Sequence, residues 1–169
     1  MRVVVSAASK HGSTAEIAAA IANRLREAGF TADVVEPGEI DGAGDFEAAV
    51  IGSAVYAGHW MPVAKEMVRT HSSRLLEVPV WLFSSGPVGE PPKPEEDPVD
   101  AVEMIELADP VEHRVFAGKI DPAKVGFAEK AIIKALRAPV GDYREWNVIE
   151  AWTDEIAAAL QKEWLTSGA

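Results

Sequence analysis

The sequence predicts a doubly wound α/β domain, and two observations carry that prediction. Apolar, β-branched runs alternate with amphipathic helical stretches along the whole chain, and the first, third and fourth runs are almost unbroken in apolar residues. Unbroken apolar runs are what strands covered on both faces require. Strand alternating with helix points to parallel strands joined by right-handed crossovers.

The elements follow in order. Residues 2–6 are a short β-branched run, read as a buried first strand. A polar turn, 9–14, leads into a helix over 15–28, where Ile17, Ile21 and Leu25 recur at four-residue steps. Gly29 ends that helix as a C′ glycine. Residues 30–36 are a second strand, broken by Pro37 and Gly38. Residues 48–54 are a third strand, and 61–76 a helix with Pro62 in its first turn. Residues 78–85 are a fourth strand enclosing Trp81 and Phe83. The segment 86–98 holds five prolines and is expected to be an irregular loop. A short helix over 99–108, a strand over 113–120 and helices over 126–138 and 151–164 complete the chain. The length of 169 residues suits one domain.

In an open α/β sheet, ligands bind outside the carboxyl ends of the strands. Three loops therefore matter most. The first comprises Ser9, Lys10, His11, Gly12, Ser13 and Thr14. Gly12 permits a tight turn, three hydroxyls supply donors, and the helix start adds free amides and partial positive charge. Together they make a phosphate cradle. The stretch is neither a Walker A loop nor the dinucleotide fingerprint, and it also reads as a plain N-cap by Ser13 or Thr14. The second loop holds Ser53, Ala54, Val55, Tyr56, Ala57, Gly58, His59 and Trp60. Its small residues permit close backbone approach, and its aromatics offer a platform for a flat ring; Tyr56 and Trp60 read equally as packing residues. His59 reads both as a hydrogen-bond partner of a bound ring or substrate, the one candidate catalytic group, and as an exposed helix-start residue. The third loop is Ser84, Ser85, Gly86, Pro87, Val88 and Gly89, suited to backbone bonds with a pyrimidine edge or to a simple Gly-Pro turn.

The first loop resembles the FMN phosphate loop of flavodoxins, Ser/Thr-x-x-Gly-x-Thr after strand one. The stretch Ile51-Gly52-Ser53-x-x-Tyr56-x-Gly58-His59, the piece Phe116-Ala117-Gly118 and the additional helix over 127–137 resemble one branch more closely: the flavodoxin-like protoporphyrinogen dehydrogenases that reduce menaquinone. The resemblance implies a five-stranded sheet of order 2-1-3-4-5 with helices on both faces, and FMN as cofactor. It places the phosphate on residues 9–14 and the ring against Ser53 to Gly58, Ser85, Gly86, Pro87 and Gly89. Electron-carrying flavodoxins usually place a stacking Tyr in the third loop. Its absence here argues against low-potential shuttling and for substrate access.

Composition narrows the function classes. The formal charge of −11 opposes nucleic acid as a partner. No Cys is present, which excludes disulfides and thiolate sites. His11, His71 and His113 show no metal-ligand spacing. No basic leader or long apolar run opens the chain, and a cytoplasmic protein is expected. The helix over 126–138 carries Lys130, Lys134 and Arg137 in one stripe beside Phe127, Ile132, Ile133 and Leu136. This stripe reads as an interfacial membrane contact or as a surface helix with its apolar side on the sheet. The small number of charges and the acidic total favour the second. The leading expectation is an FMN-dependent oxidoreductase passing electrons to a quinone or a protein acceptor. The alternatives are an electron carrier docking a basic redox partner, or a flavodoxin fold using a deazaflavin or no flavin. An acidic, Pro-rich stretch at 90–97 argues against a dicarboxylate porphyrin as substrate.

Overall fold

The computed structural model describes residues 1–89, 97–135 and 137–167. In chain order its elements are β1 (Arg2–Ala8), α1 (Ser13–Glu27), β2 (Thr31–Val34), a 3-10 segment (Pro37–Ala43), β3 (Ala48–Tyr56), β4 (His59–Trp60), α2 (Pro62–Leu75) and β5 (Val80–Ser85). They continue with α3 (Ala101–Ala108), β6 (Glu112–Phe116), β7 (Lys119–Ile120), α4 (Phe127–Ala135), β8 (Gly141–Asp142) and α5 (Trp146–Ser167).

Five parallel strands lie in the order β2-β1-β3-β5-β6, the arrangement expected once the short return β4 is set aside. Alternation along β1 explains the layering. Val3, Val5 and Ala7 join Ile17, Ile21 and Leu25 of α1 and Ile149, Trp152, Ile156 and Leu160 of α5 in one core. Val4 and Ala8 face Ile40, Trp60, Met67, Leu75 and Met104 in a second core beneath α2 and α3. Both faces are thus covered, and every residue of β5 is buried.

The first core ends in an aromatic cluster. The Phe116 and Trp152 rings lie 5.3 Å apart, and Phe83 stands 6.0 and 6.2 Å from them. The indole N–H of Trp152 donates to Glu112 at 2.6 Å, so its polar edge is satisfied at the sheet border.

A buried polar chain crosses the second core. The Trp60 indole donates to Ser84 Oγ at 2.8 Å, and Ser84 Oγ lies 2.8 Å from His113 Nε2. Burial pushes the His113 imidazole below its ordinary value, against the opposing pull of Asp97 and Glu112. The folded state therefore binds this proton less readily than the unfolded chain. Its stabilisation is complete above the unfolded value of 6.5 and is lost as pH falls through the lower folded value. Urea midpoints should consequently drop more between about pH 7.5 and about pH 5.5 in the wild type than in His113→Gln. Parallel pH profiles would remove His113 as the cause.

Several boundaries differ from expectation. The fifth strand does not run through 113–120. It stops at Phe116, because Gly118 turns against Gly86, its N–H donating to Pro87 O at 2.7 Å. Residues 119–120 pair instead with 141–142 as a separate antiparallel ribbon. The third strand runs on to Tyr56 and folds back through a two-residue turn in which Ala57 (φ 49) and Gly58 (φ 82) are both left-handed. That is the type I′ geometry hairpins favour. The last helix begins at Trp146, five residues before the expected start. The N-cap of α1 is Gly12, at φ 88, and not Ser13 or Thr14, which lie inside the helix. Most of the proline-rich stretch, residues 90–96, lies outside the described residues.

The additional helix is the largest surprise. None of its residues is buried, and Phe127 is 92% exposed. Its apolar side does not lie on the sheet; Ile132 and Ile133 line the cavity described next, and Phe127 is left in solvent.

Candidate functional site

At the carboxyl ends of the parallel strands lies a cavity of about 480 Å³. Its walls are built by loops following β1, β3, β5 and β6, and α4 forms its roof with Ile132 and Ile133.

The first wall is the turn into α1. Ser9, Lys10, His11, Ser13 and Thr14 line the cavity. Gly12 contributes backbone: its N–H donates to Ser9 Oγ at 3.0 Å, and its left-handed φ makes the turn. The amides of the first helical turn have no intrahelical acceptor and point to this end of α1. Arg144 holds the turn from behind. Its side chain is 3% exposed, donates to Ser13 O at 3.0 Å and to Glu16 at 2.7 Å, and grips Asp142 through two further bonds. The hydrogen bonds from Arg144 hold both Glu16 and Asp142 below the usual carboxylate range.

The second wall is the hairpin after β3, from which Ala54, Val55, Tyr56 and Ala57 face the cavity. Tyr56 stands edge-on to His11 at 6.4 Å, with Lys10 Nζ 5.8 Å from its ring centre. Burial, with Glu129 adding to it, raises its phenol above the ordinary value. Ser53 and Gly58 lie outside the lining. Ser53 Oγ donates to Ala54 O at 2.8 Å and accepts from Met61 N at 2.9 Å, pinning the strand end to the start of α2. His59 is also outside. Its Nδ1 lies 3.1 Å from Asp100, which Lys65 and the Trp60 amide also contact. Burial alone would raise the Asp100 carboxyl, but these bonds outweigh it and hold the group low.

From the third wall, Ser85, Gly86 and Val88 reach the cavity, whereas Pro87 and Gly89 do not. A β-carbon on Gly86 would sit 2.9 Å from that of Val55, so only glycine lets these two walls meet.

The wall after β6 and the roof were not anticipated from sequence. Gly118, Lys119, Asp121 and Lys124 line the cavity. A β-carbon on Gly12 would meet the Lys124 ammonium at 3.9 Å, which sets that cation over the first turn. On α4, Glu129 takes bonds from Lys10 (2.5 Å) and the Gly126 amide (2.9 Å), with His11 Nε2 at 3.0 Å. The Lys10 bond above all lowers its carboxyl to about 2. The usable signal was position: residues 118–125 follow the carboxyl end of β6, a parallel strand of the sheet beside β5.

The arrangement suits a long, amphipathic phosphate ester. Free helix amides, hydroxyls, Lys10 and Lys124 meet at one end; apolar side chains of Val55, Tyr56, Val88, Ile132 and Ile133 enclose the rest. Fold and cavity together define a doubly wound nucleotide-binding α/β protein. A flavodoxin domain family model matches residues 4–146, and the chain belongs to that family. Membership indicates FMN as the cofactor. The chain is 24% identical to protoporphyrinogen IX dehydrogenase [quinone] of Escherichia coli (strain K12), over 96% of this chain and 98% of that protein. Among solved structures, a flavodoxin from the domain Archaea superposes with a TM-score of 0.62 at 18% identity, covering 95% of this chain and 99% of that one. The rubredoxin oxygen:oxidoreductase of Desulfovibrio gigas gives 0.67 at 15% identity over 96% of this chain, which spans 37% of that protein's length. Among the described residues, no helix is long and apolar enough to cross a membrane and no group of acidic or histidine side chains could hold a metal ion.

Proposed function

We propose that the protein is a cytoplasmic FMN-dependent oxidoreductase that withdraws electrons from a protoporphyrinogen-like donor and delivers them to a quinone. The observation carrying this reading is the end-to-end match to a quinone-linked dehydrogenase, 96% of one chain against 98% of the other. The chemistry supplied by bound FMN is two-electron redox exchange between donor and acceptor.

The chain's own residues orient and enclose. Ser9, Gly12, Ser13 and Thr14 present amides and hydroxyls to the phosphate, and Lys10, His11 and Lys124 add positive charge. Val55, Tyr56, Ala57, Ser85 and Gly86 flank the ring with backbone and small side chains. Ile132 and Ile133 of α4 exclude water from above. Substrate access beside the ring is consistent with the third loop, which carries no aromatic residue.

Two measurements test the reading together. The purified protein should be yellow and release FMN, identified by mass. Under anaerobic conditions it should oxidise protoporphyrinogen IX with menadione as acceptor. Colourless protein that gains no thermal stability from added FMN would refute the cofactor; bound FMN without porphyrinogen turnover would refute the donor alone.

A further inference from the structure

A second concavity of about 310 Å³ lies on α4, lined in part by Lys130, Lys134 and Arg137. Val125, Ile133 and Ala138 line both this groove and the flavin cavity, so the two spaces back onto one another across these three side chains. None of the three cations makes an ion pair among the described residues. In a chain whose net charge is −11, Arg2, Arg24, Arg69, Arg74, Arg114 and Arg144 pair with acids, whereas these three, like Arg26, which bonds Asn23, do not. Lys130 and Lys134 stand four residues apart on α4, which sets two like charges side by side; Arg137 follows two residues beyond the end of the helix, at a left-handed φ of 49, and not on the stripe the sequence suggested. This repulsion works against a helix that has no buried residue to hold it. An anion in the groove removes that repulsion.

We infer that the groove is a carboxylate-anchoring subsite, in which Lys130, Lys134 and Arg137 hold the acidic groups of a flat apolar dicarboxylate whose body extends over Val125, Ile133 and Ala138 toward the flavin. The inference rests on the porphyrinogen reading above and adds the residues that select the substrate's charge. A small ligand fits better than a lipid surface. The groove is concave, and the excess negative charge of the whole protein repels an anionic bilayer, whereas a bound dicarboxylate lies within a Debye length of all three cations.

The test uses the FMN-loaded protein with protoporphyrin IX, the stable oxidised dicarboxylate, and with its dimethyl ester, followed by absorbance titration. Wild type should bind the diacid roughly tenfold more tightly than the ester, the sum of three exposed charge contacts. The triple variant Lys130→Gln, Lys134→Gln, Arg137→Gln should lose that preference, with ester and FMN binding unchanged. Equal binding of diacid and ester by wild type overturns the inference, as does a triple variant that keeps the preference. Binding to phosphatidylglycerol vesicles that disappears in the triple variant, with the porphyrin preference intact, overturns it in favour of lipid. Failure of both porphyrins to bind an FMN-loaded protein overturns the substrate reading itself.

Discussion

Replacing Ser13 with glutamate should strip the protein of FMN and leave its fold intact. Ser13 is the first residue of α1 and lines the cavity. A carboxylate in the first helical turn interacts favourably with the helix dipole, by about 0.3–1 kcal/mol, so the ligand-free protein should melt no lower than wild type. Against a dianionic phosphate the same carboxylate is repulsive. Two unit charges about 4 Å apart near a protein surface interact by about 4 kcal/mol. Even with about a third of that screened, FMN affinity should fall by about a hundredfold. Riboflavin has the same ring and no phosphate, so it should bind variant and wild type alike. Fluorescence-quenching titrations with both ligands give the answer. Retained FMN affinity, or an equal loss of riboflavin, would mean that the phosphate lies elsewhere.

The second large effect is structural. Gly52 lies in β3 opposite Phe83. A β-carbon there would fall 2.2 Å from Phe83 Cζ. Phe83 is fully buried and wedged between Phe116 and Trp152, so its ring has no free space to move into. Gly52→Ala should therefore cost about 3 kcal/mol or more, at the upper end of overpacking penalties. For a chain of this size the melting temperature should fall by roughly 6–12 °C. Gly42→Ala is the matched control, since a β-carbon there meets nothing within 4 Å. Adding Phe83→Leu to Gly52→Ala should restore part of the loss, because it removes the atoms in conflict. An unchanged melting temperature for Gly52→Ala would show that the aromatic cluster can rearrange freely.

The sheet was legible because its signal is local. Each central strand announces itself by a run of apolar residues, and the turn before α1 by Gly12 and its hydroxyl neighbours. The hairpin at 57–58 was hidden because Ala57 is not a residue that advertises a left-handed turn. The ribbon of β7 and β8 involves two residues per strand, too few for any periodicity to register. The early start of α5 was readable in the spacing of Ile149, Trp152, Ile156 and Leu160, which share one buried stripe. The roof of the cavity was not readable at all. Its attachment joins Lys10 to Glu129 across 119 positions of sequence, and pattern within a window of residues carries no information about such a pair. The same holds for Arg144, which fastens the turn before α1 from 131 residues away.

That thin attachment of α4 has an energetic meaning. A segment with no buried side chain adds little to the free energy separating the native state from the unfolded one, so its opening is a local event of low cost. The two cores can stay intact while the roof detaches at Glu129 and swings clear. The cavity beneath α4 can then open at the cost of one short helix, without waiting for the rare global opening of the sheet.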